Sequence, residues 1–210
     1  MNQRQSLVLI HGTLCDRHLF DRQVRRLRAS VQITVADLHH LRAAPDWARS
    51  LLDRLPPRFS VAGFSLGGLL ALELLRQAPE RVERLALITS NAEGGTRRGQ
   101  RRQQALSRLW RTEGPAAVAR RVKPAYLDHH TQRRRHAGPA PRAMLIVSGA
   151  NSRLCPRSLQ LRRHTCRPDA RWTELPRCGH MVPLEAPVQL TQLLGLWLAE
   201  PALTCSGELA

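Results

Sequence analysis

Ser65 lies between Gly63 and Gly67 in a Gly-x-Ser-x-Gly pattern, after an apolar run, Phe59 to Phe64, and before a helix-like run, Leu66 to Leu75. A serine hydroxyl is a poor nucleophile at neutral pH, so it needs an exposed position, a base and amide donors for an oxyanion. A sharp strand-to-helix turn provides these, and glycines leave room for its crowded backbone. The context favours such a nucleophile elbow over an ordinary glycine and serine turn.

His180 is the candidate base for Ser65. It lies in a Cys-Gly-His segment that follows the last predicted strand, Arg171 to Leu175. Another predicted strand, Ala143 to Gly149, ends close to Asn151. Because the carboxyl ends of parallel strands meet at one edge of a sheet, where open α/β folds bind ligands, we expect these residues to converge.

The elements that must position these residues alternate between strand and helix patterns. Further strands are predicted at 7–11, 33–37 and 84–90, with amphipathic helices between them, the first of which follows Asp16 as one continuous helix; a short helix is also predicted at 158–163. The alternation predicts an α/β fold with a doubly wound, mostly parallel sheet and helices on both faces. Residues 91–142 depart from this rhythm, and we interpret them as a short cap or lid insertion within a single domain of residues 1–210. Alternatively, residues 91–142 form a charged segment that is exposed to solvent.

The formal net charge is +17, from 33 basic and 16 acidic residues. Such a charge is compatible with nucleic acid, an anionic membrane or an acidic substrate as partner. The basic residues are all arginine except Lys123, they are scattered along the chain, and only 4% of residues are aromatic. Scattered arginine with few rings for stacking bases argues against nucleic-acid binding, and we expect no membrane partner either.

The five cysteines show no Cys-x-x-Cys spacing, which predicts free thiols in a reducing compartment. Residues 1–6 are polar, and no apolar run approaches the roughly 20 residues of a spanning helix. We therefore expect a cytoplasmic protein. The histidine pairs at 39–40 and 129–130 are adjacent in sequence, so their side chains point apart, and no metal site is predicted.

Three segments together resemble the α/β-hydrolase superfamily, in its group of small bacterial esterases and enol-lactonases. Residues 9–13, Leu-Ile-His-Gly-Thr, are similar to the oxyanion loop of that family, residues 63–67 to its nucleophile elbow, and residues 179–187 to its histidine loop. The resemblance covers nearly the whole chain. It implies an α/β-hydrolase fold shortened by the two usual opening strands at the N-terminus and shortened in the cap.

The same resemblance implies roles for individual residues. Ser65 corresponds to the nucleophile, His180 to the general base and then acid, and the backbone amides of Leu66 and Thr13 to the oxyanion hole. No cofactor is implied, and the expected partner is a small-molecule acyl substrate. No particular oligomeric state is implied.

The triad acid departs from the family pattern. Where the family usually has Gly-x-x-Asp-x-x-x-Pro, residues 149–156 read Gly-Ala-Asn-Ser-Arg-Leu-Cys-Pro, so Ser152 replaces the acid and Asn151 lies beside it. The carboxylate matters, since an amide in its place lowered turnover about 10⁴-fold in a serine protease. Three alternatives stay open: Glu93 supplies the acid from the neighbouring strand end, Ser152 or Asn151 orients His180 by a neutral hydrogen bond in a slow enzyme, or the protein binds without turnover.

The sequence therefore predicts a serine hydrolase that cleaves a small carboxylic ester, thioester or lactone through an acyl-enzyme on Ser65. A degenerate, non-catalytic binding protein on the same fold is one alternative. A carbon–carbon or elimination lyase of the same superfamily is another, and product analysis distinguishes it from a hydrolase.

Overall fold

The computed structural model describes residues 4–38, 41, 43–90, 108, 112–113 and 143–200. The six strands in these ranges form one sheet: β1 (Ser6–Ile10), β2 (Gln32–Ala36), β3 (Phe59–Phe64), β4 (Val82–Ile88), β5 (Ala143–Gly149) and β6 (Arg171–Leu175). The strand order is β2-β1-β3-β4-β5-β6, and each neighbouring pair is parallel. The predicted parallel α/β architecture is thereby confirmed.

The described helices cover both faces of this sheet. They are α1 (Asp21–Leu27), α2 (Ala44–Leu52), α3 (Leu66–Gln77), α4 (Arg157–Cys166), α5 (Val182–Glu185) and α6 (Pro187–Ala199). Alternate residues of β1 enter two separate cores: Val8 packs in the core that includes α2 and α3, whereas Leu7 packs in the core that includes α1 and α6. Burial on both faces explains why β1 and β3 are continuous apolar runs instead of alternating ones.

The segment before α1 differs from the prediction of one continuous helix after Asp16. A short 3-10 helix, Arg17–Phe20, comes first. The Asp16 carboxylate accepts a hydrogen bond from the backbone amide of His18 at 2.9 Å, and the Asp16 carbonyl accepts from Leu19 at 3.2 Å. Leu19 and Phe20, at the end of this turn, are both buried in the core.

The other helices and strands lie within a few residues of their predicted bounds. Helix α4 is longer than the predicted 158–163, and α5 was not predicted. Strand β4 ends at Ile88 instead of Ser90, because Thr89 leaves the extended conformation with φ of 37°.

Three cysteines lie among the residues whose side chains the structure describes, Cys15, Cys155 and Cys178, and these three form no disulfide.

The predicted insertion connects two adjacent strands, β4 and β5. Apart from 108 and 112–113, residues 91–142 lie outside the described residues, so the cap or lid stays a prediction, as does the single domain. Among the helices that the structure describes, none has the length and apolar character needed to cross a bilayer.

Glycines allow three backbone segments to meet at the turn between β3 and α3. A Cβ atom added at Gly63 would overlap the carbonyl group of Gly67 in the first turn of α3. A Cβ added at Gly67 would overlap the carbonyl oxygen of Ile10 at the end of β1. These neighbours are backbone atoms, which cannot rotate away as a side chain does, so the close approach of α3 to β3 and β1 requires glycine at both positions.

We predict that Gly63→Ala lowers the free energy of unfolding by about 3 kcal/mol or more, because the methyl group forces α3 away from β3. Gly195→Ala is the matched control, since its added Cβ would lie 3.8 Å from its nearest neighbour, Leu27 Cδ2. Alanine in the middle of α6 should raise the free energy of unfolding by about 0.5–1 kcal/mol. Urea unfolding measures both, and equal effects of the two variants would contradict the close packing described.

Candidate active site

Ser65 occupies a strained turn between β3 and α3. Its backbone has φ of 54° and ψ of −115°, a region that residues other than glycine rarely adopt. The backbone amide of Ser65 donates to the carbonyl of Ile88 at 3.0 Å. The carbonyl of Ser65 accepts from the Gly68 amide at 3.1 Å and from the Ser90 hydroxyl at 2.7 Å. The predicted strand-to-helix turn is therefore present, and both backbone polar groups of Ser65 are hydrogen-bonded.

The structure brings His180 to Ser65. The Nε2 atom of His180 lies 3.1 Å from Ser65 Oγ, although 115 positions separate the two residues in sequence. The imidazole is only 7% exposed, and its ring centroid lies 5.2 Å from that of Phe64. Burial lowers the pKa of His180 to about 4, because a low-dielectric environment disfavours the charged imidazolium. The neutral imidazole present at pH 7 has one ring nitrogen able to accept a proton.

Ser152 faces the other ring nitrogen of His180. Its hydroxyl oxygen lies 3.3 Å from His180 Nδ1 and accepts a hydrogen bond from the backbone amide of Cys155 at 3.2 Å. A hydroxyl both donates and accepts, so it permits either imidazole tautomer. Only the tautomer with its proton on Nδ1 leaves Nε2 available to take the proton of Ser65. A carboxylate, which only accepts, would favour that tautomer; Ser152 lacks this preference.

Asn151 and Glu93 are the two other candidates for the group that orients His180. Asn151 is exposed, and its backbone amide donates to the carbonyl of Cys178 at 2.8 Å. That bond holds the loop carrying Ser152 against the histidine loop, a structural contribution of the Asn151 backbone. Glu93 lies outside the described residues, so its proposed contribution of an acid stays a prediction.

The two predicted oxyanion residues lie in the segments that border Ser65. Leu66 directly follows Ser65 as the first residue of α3, where backbone amides have no acceptor within the helix and the helix dipole is positive. Thr13 directly follows Gly12, and a Cβ atom added at Gly12 would lie 3.0 Å from Ser65 Cβ. The loop at 11–13 therefore passes beside the nucleophile position, as an oxyanion loop requires.

Glu185 makes contacts in the site that were not predicted from the sequence. Its carboxylate accepts from the backbone amide of Gly179 at 2.8 Å and from that of Met181 at 2.9 Å, which are the two neighbours of His180. A Cβ added at Gly179 would lie 3.0 Å from Glu185 Oε1. An acidic residue in the first turn of a helix that reaches back to preceding amides is a known capping pattern, and this signal was available in the sequence.

The assembled groups can perform nucleophilic acyl chemistry. They comprise a hydroxyl, a neutral imidazole within hydrogen-bonding distance of it, and backbone amides at a helix N-terminus. Within the described ranges, no group of three or more histidine, cysteine, aspartate or glutamate side chains is arranged to hold a metal ion.

Comparison with known proteins gives the following relationships. A family model described as the alpha/beta hydrolase family matches residues 7–193. The pimeloyl-acyl-carrier-protein methyl ester esterase of Legionella pneumophila (strain Paris) is 38% identical over 94 residues, which cover 42% of this chain and 39% of that protein. This match therefore spans well under half of the relative's length.

Solved structures are similar over most of the chain. A thermophilic esterase from Thermogutta terrifontis has a TM-score of 0.76 at 18% identity, covering 92% of this chain and 89% of its own. The enol-lactonase from Burkholderia xenovorans LB400 has a TM-score of 0.76 at 18% identity, covering 93% and 92% respectively. At such low identity these similarities establish the fold alone.

We predict that the His180 imidazole titrates near pH 4, well below its ordinary pKa of about 6.5, because burial disfavours the imidazolium. Between these values the unfolded chain binds the proton and the folded chain does not. The free energy of unfolding should therefore fall as the pH drops from about 6.5 to 4. NMR titration of the ring protons measures the midpoint, and His180→Gln should remove this part of the pH dependence. A midpoint at 6.5 or above would contradict the burial described.

Proposed function

The chain belongs to the alpha/beta hydrolase family, and on that basis we propose that it is a serine hydrolase that cleaves a small carboxylic ester, thioester or lactone. The observation that carries the proposal is the 3.1 Å contact between Ser65 Oγ and His180 Nε2 at the carboxyl edge of the parallel sheet. The names of the relatives, a methyl ester esterase and an enol-lactonase, support the same class of bond.

The proposed reaction has two halves. In the first, Ser65 Oγ attacks the acyl carbon while its proton passes to His180 Nε2, and the amides of Leu66 and Thr13 donate to the developing oxyanion. The carbonyl then re-forms, the bond to the leaving group breaks, and His180 gives its proton to that group. In the second half, water attacks the acyl-enzyme with His180 again taking the proton. The bond between the acyl carbon and Ser65 Oγ then breaks, His180 returns its proton to Oγ, and the carboxylic acid is released with the Ser65 hydroxyl restored.

We propose that Ser152 orients His180 in this reaction through its neutral hydroxyl. When His180 becomes protonated, its Nδ1–H can donate to Ser152 Oγ, but a hydroxyl stabilises the imidazolium less than a carboxylate does. Because His180 is buried, protonating its imidazole beside the neutral Ser152 costs more free energy than protonation in a triad with a carboxylate. The expected result is a slow hydrolase. Glu93 remains the alternative source of a carboxylate.

We predict that a fluorophosphonate probe labels the intact protein at Ser65, because such probes capture an activated serine hydroxyl. Ser65→Ala should abolish labelling. Ser60→Ala, which removes a buried hydroxyl from the adjacent strand β3, should label like the natural protein. Intact-mass and peptide mass spectrometry identify the modified residue.

The outcome of this labelling also separates the alternatives. A folded protein that does not label and does not hydrolyse esters above the level of Ser65→Ala would contradict the proposed hydrolase and favour the non-catalytic binding protein. Labelling at Ser65 with products of elimination or carbon–carbon cleavage would favour the lyase. Labelling with release of a carboxylic acid supports the hydrolase.

We predict that Ser152→Asp raises the rate of probe labelling, by up to about 10⁴-fold, since it restores a carboxylate opposite His180 Nδ1. The variant should also raise the pKa of His180 above about 4, because a neighbouring negative charge favours the imidazolium. Labelling rates measured across pH report both changes.

Asn151→Asp is the matched control for this variant, because it adds the same carboxylate at the exposed neighbouring position. It should leave the labelling rate within about threefold of the natural protein, as expected of a solvent-screened charge. If Ser152→Asp labels no faster while Glu93→Gln abolishes labelling, the acid comes from Glu93 and the proposed orienting role of Ser152 is wrong.

A further inference from the structure

Thr89, the first residue after β4, has an unusual backbone conformation. Its φ is 37°, and its side chain is fully buried. A β-branched residue is a rare choice for positive φ, where its side chain crowds the backbone. Such strain persists only where the surrounding contacts fix it, and it occurs often at functional sites.

Hydrogen bonds to three other segments fix Thr89. Its hydroxyl donates to the backbone carbonyl of His180 at 2.8 Å. Its amide donates to the carbonyl of Val147 in β5 at 2.8 Å, and its carbonyl accepts from the thiol of Cys155 at 3.0 Å. Thr89 therefore joins the end of β4 to β5, to the histidine loop and to the loop that carries Ser152.

The next residue, Ser90, makes an equivalent contact with the nucleophile. Its hydroxyl donates to the carbonyl of Ser65 at 2.7 Å. A Cβ added at Gly68 would overlap the Ser90 hydroxyl, so glycine at 68 allows Ser90 to reach that carbonyl. Together with the bond from the Ser65 amide to Ile88, this contact fixes the backbone of Ser65 to the end of β4 at both polar groups.

We propose that Thr89 and Ser90 are positioning residues that set the distance between Ser65 and His180. Their hydroxyls hold the backbone carbonyls of His180 and Ser65, respectively, from two adjacent Cα atoms, which a trans peptide fixes about 3.8 Å apart. The proposal rests on the proposed serine hydrolase for its functional meaning. The positions of the two side chains can also be tested without any turnover.

The strand order explains why this position suits such a task. Strand β4 lies between β3, which leads to Ser65, and β5, which leads to Ser152. The first residues after β4 are therefore beside both loops. Because the neutral Ser152 hydroxyl constrains the imidazole less than a carboxylate would, a second constraint on the His180 backbone gains importance.

The test uses four single variants of the full chain. Thr89→Val and Ser90→Ala each remove one hydroxyl of the proposed pair, and Thr89→Ser restores the hydroxyl at 89. Ser60→Ala is the matched control, because Ser60 is also fully buried and its hydroxyl has no hydrogen-bond partner within the described part of the chain. The measurements are the second-order rate of fluorophosphonate labelling at Ser65, the NMR titration midpoint of His180, and urea unfolding.

We expect Thr89→Val and Ser90→Ala to slow labelling about 10- to 100-fold, the effect of small misplacement of reacting groups. Thr89→Ser should recover most of the rate, and Ser60→Ala should match the natural protein. Thr89→Val should also move the His180 midpoint upward from about 4, because a released histidine loop admits water to the ring. Ser90→Ala should leave the midpoint unchanged, since its hydroxyl holds Ser65.

Labelling rates for Thr89→Val and Ser90→Ala equal to that of Ser60→Ala would overturn the proposal. If Thr89→Val does not fold, Ser90→Ala alone decides: slower labelling than Ser60→Ala supports the proposal, and equal labelling overturns it. If the natural protein does not label, the proposed hydrolase fails, and the midpoint then decides the positioning role alone. A midpoint that rises in Thr89→Val but not in Ser60→Ala supports it, and an unchanged midpoint overturns it.

Discussion

The hydrogen bond between Ser65 and His180 is the interaction on which the architecture of the site depends. Its two residues belong to segments that are distant in sequence, and a parallel sheet brings them together because β3 and β6 end at the same edge. The glycines at 63 and 67 let the turn after β3 fold tightly enough to present the hydroxyl. On the other side of the contact, Glu185 fixes the backbone amides before and after His180.

Burial of His180 has two opposing effects on the proposed chemistry. It keeps the imidazole neutral at pH 7, so a proton acceptor is always available beside Ser65. A base with a pKa of about 4, however, has less driving force for proton transfer than one whose pKa is close to the working pH. The Ser152 hydroxyl at Nδ1 can give the charged intermediate a neutral hydrogen bond but no attraction between opposite charges. The backbone that carries the ring is held by the Gly179 and Met181 amides, which donate to Glu185, and by the Thr89 hydroxyl, which donates to the His180 carbonyl.

Local patterns in the sequence predicted the parts of this structure that local physics determines. Continuous apolar runs identified the buried strands, and the Gly-x-Ser-x-Gly spacing located the turn at Ser65. The contacts of Thr89 were not predictable, because a β-branched residue ordinarily extends a strand and only tertiary bonds impose its positive φ. Gln23 illustrates the same limit: this polar residue of α1 is fully buried, and its side-chain amide nitrogen donates to the carbonyl of Pro187 in α6.

The position of Ser90 has a consequence for protein engineering. The residue that hydrogen-bonds the backbone of Ser65 directly precedes the insertion at 91–142, which connects β4 to β5. A chimera that exchanges this insertion with that of another protein should therefore place its first junction after Ser90, so that Thr89 and Ser90 are retained. A junction placed directly after Ile88 would replace Thr89 and Ser90 with residues of the other protein. The chimera would then lose both hydroxyls, although the exchange was meant to change the insertion alone.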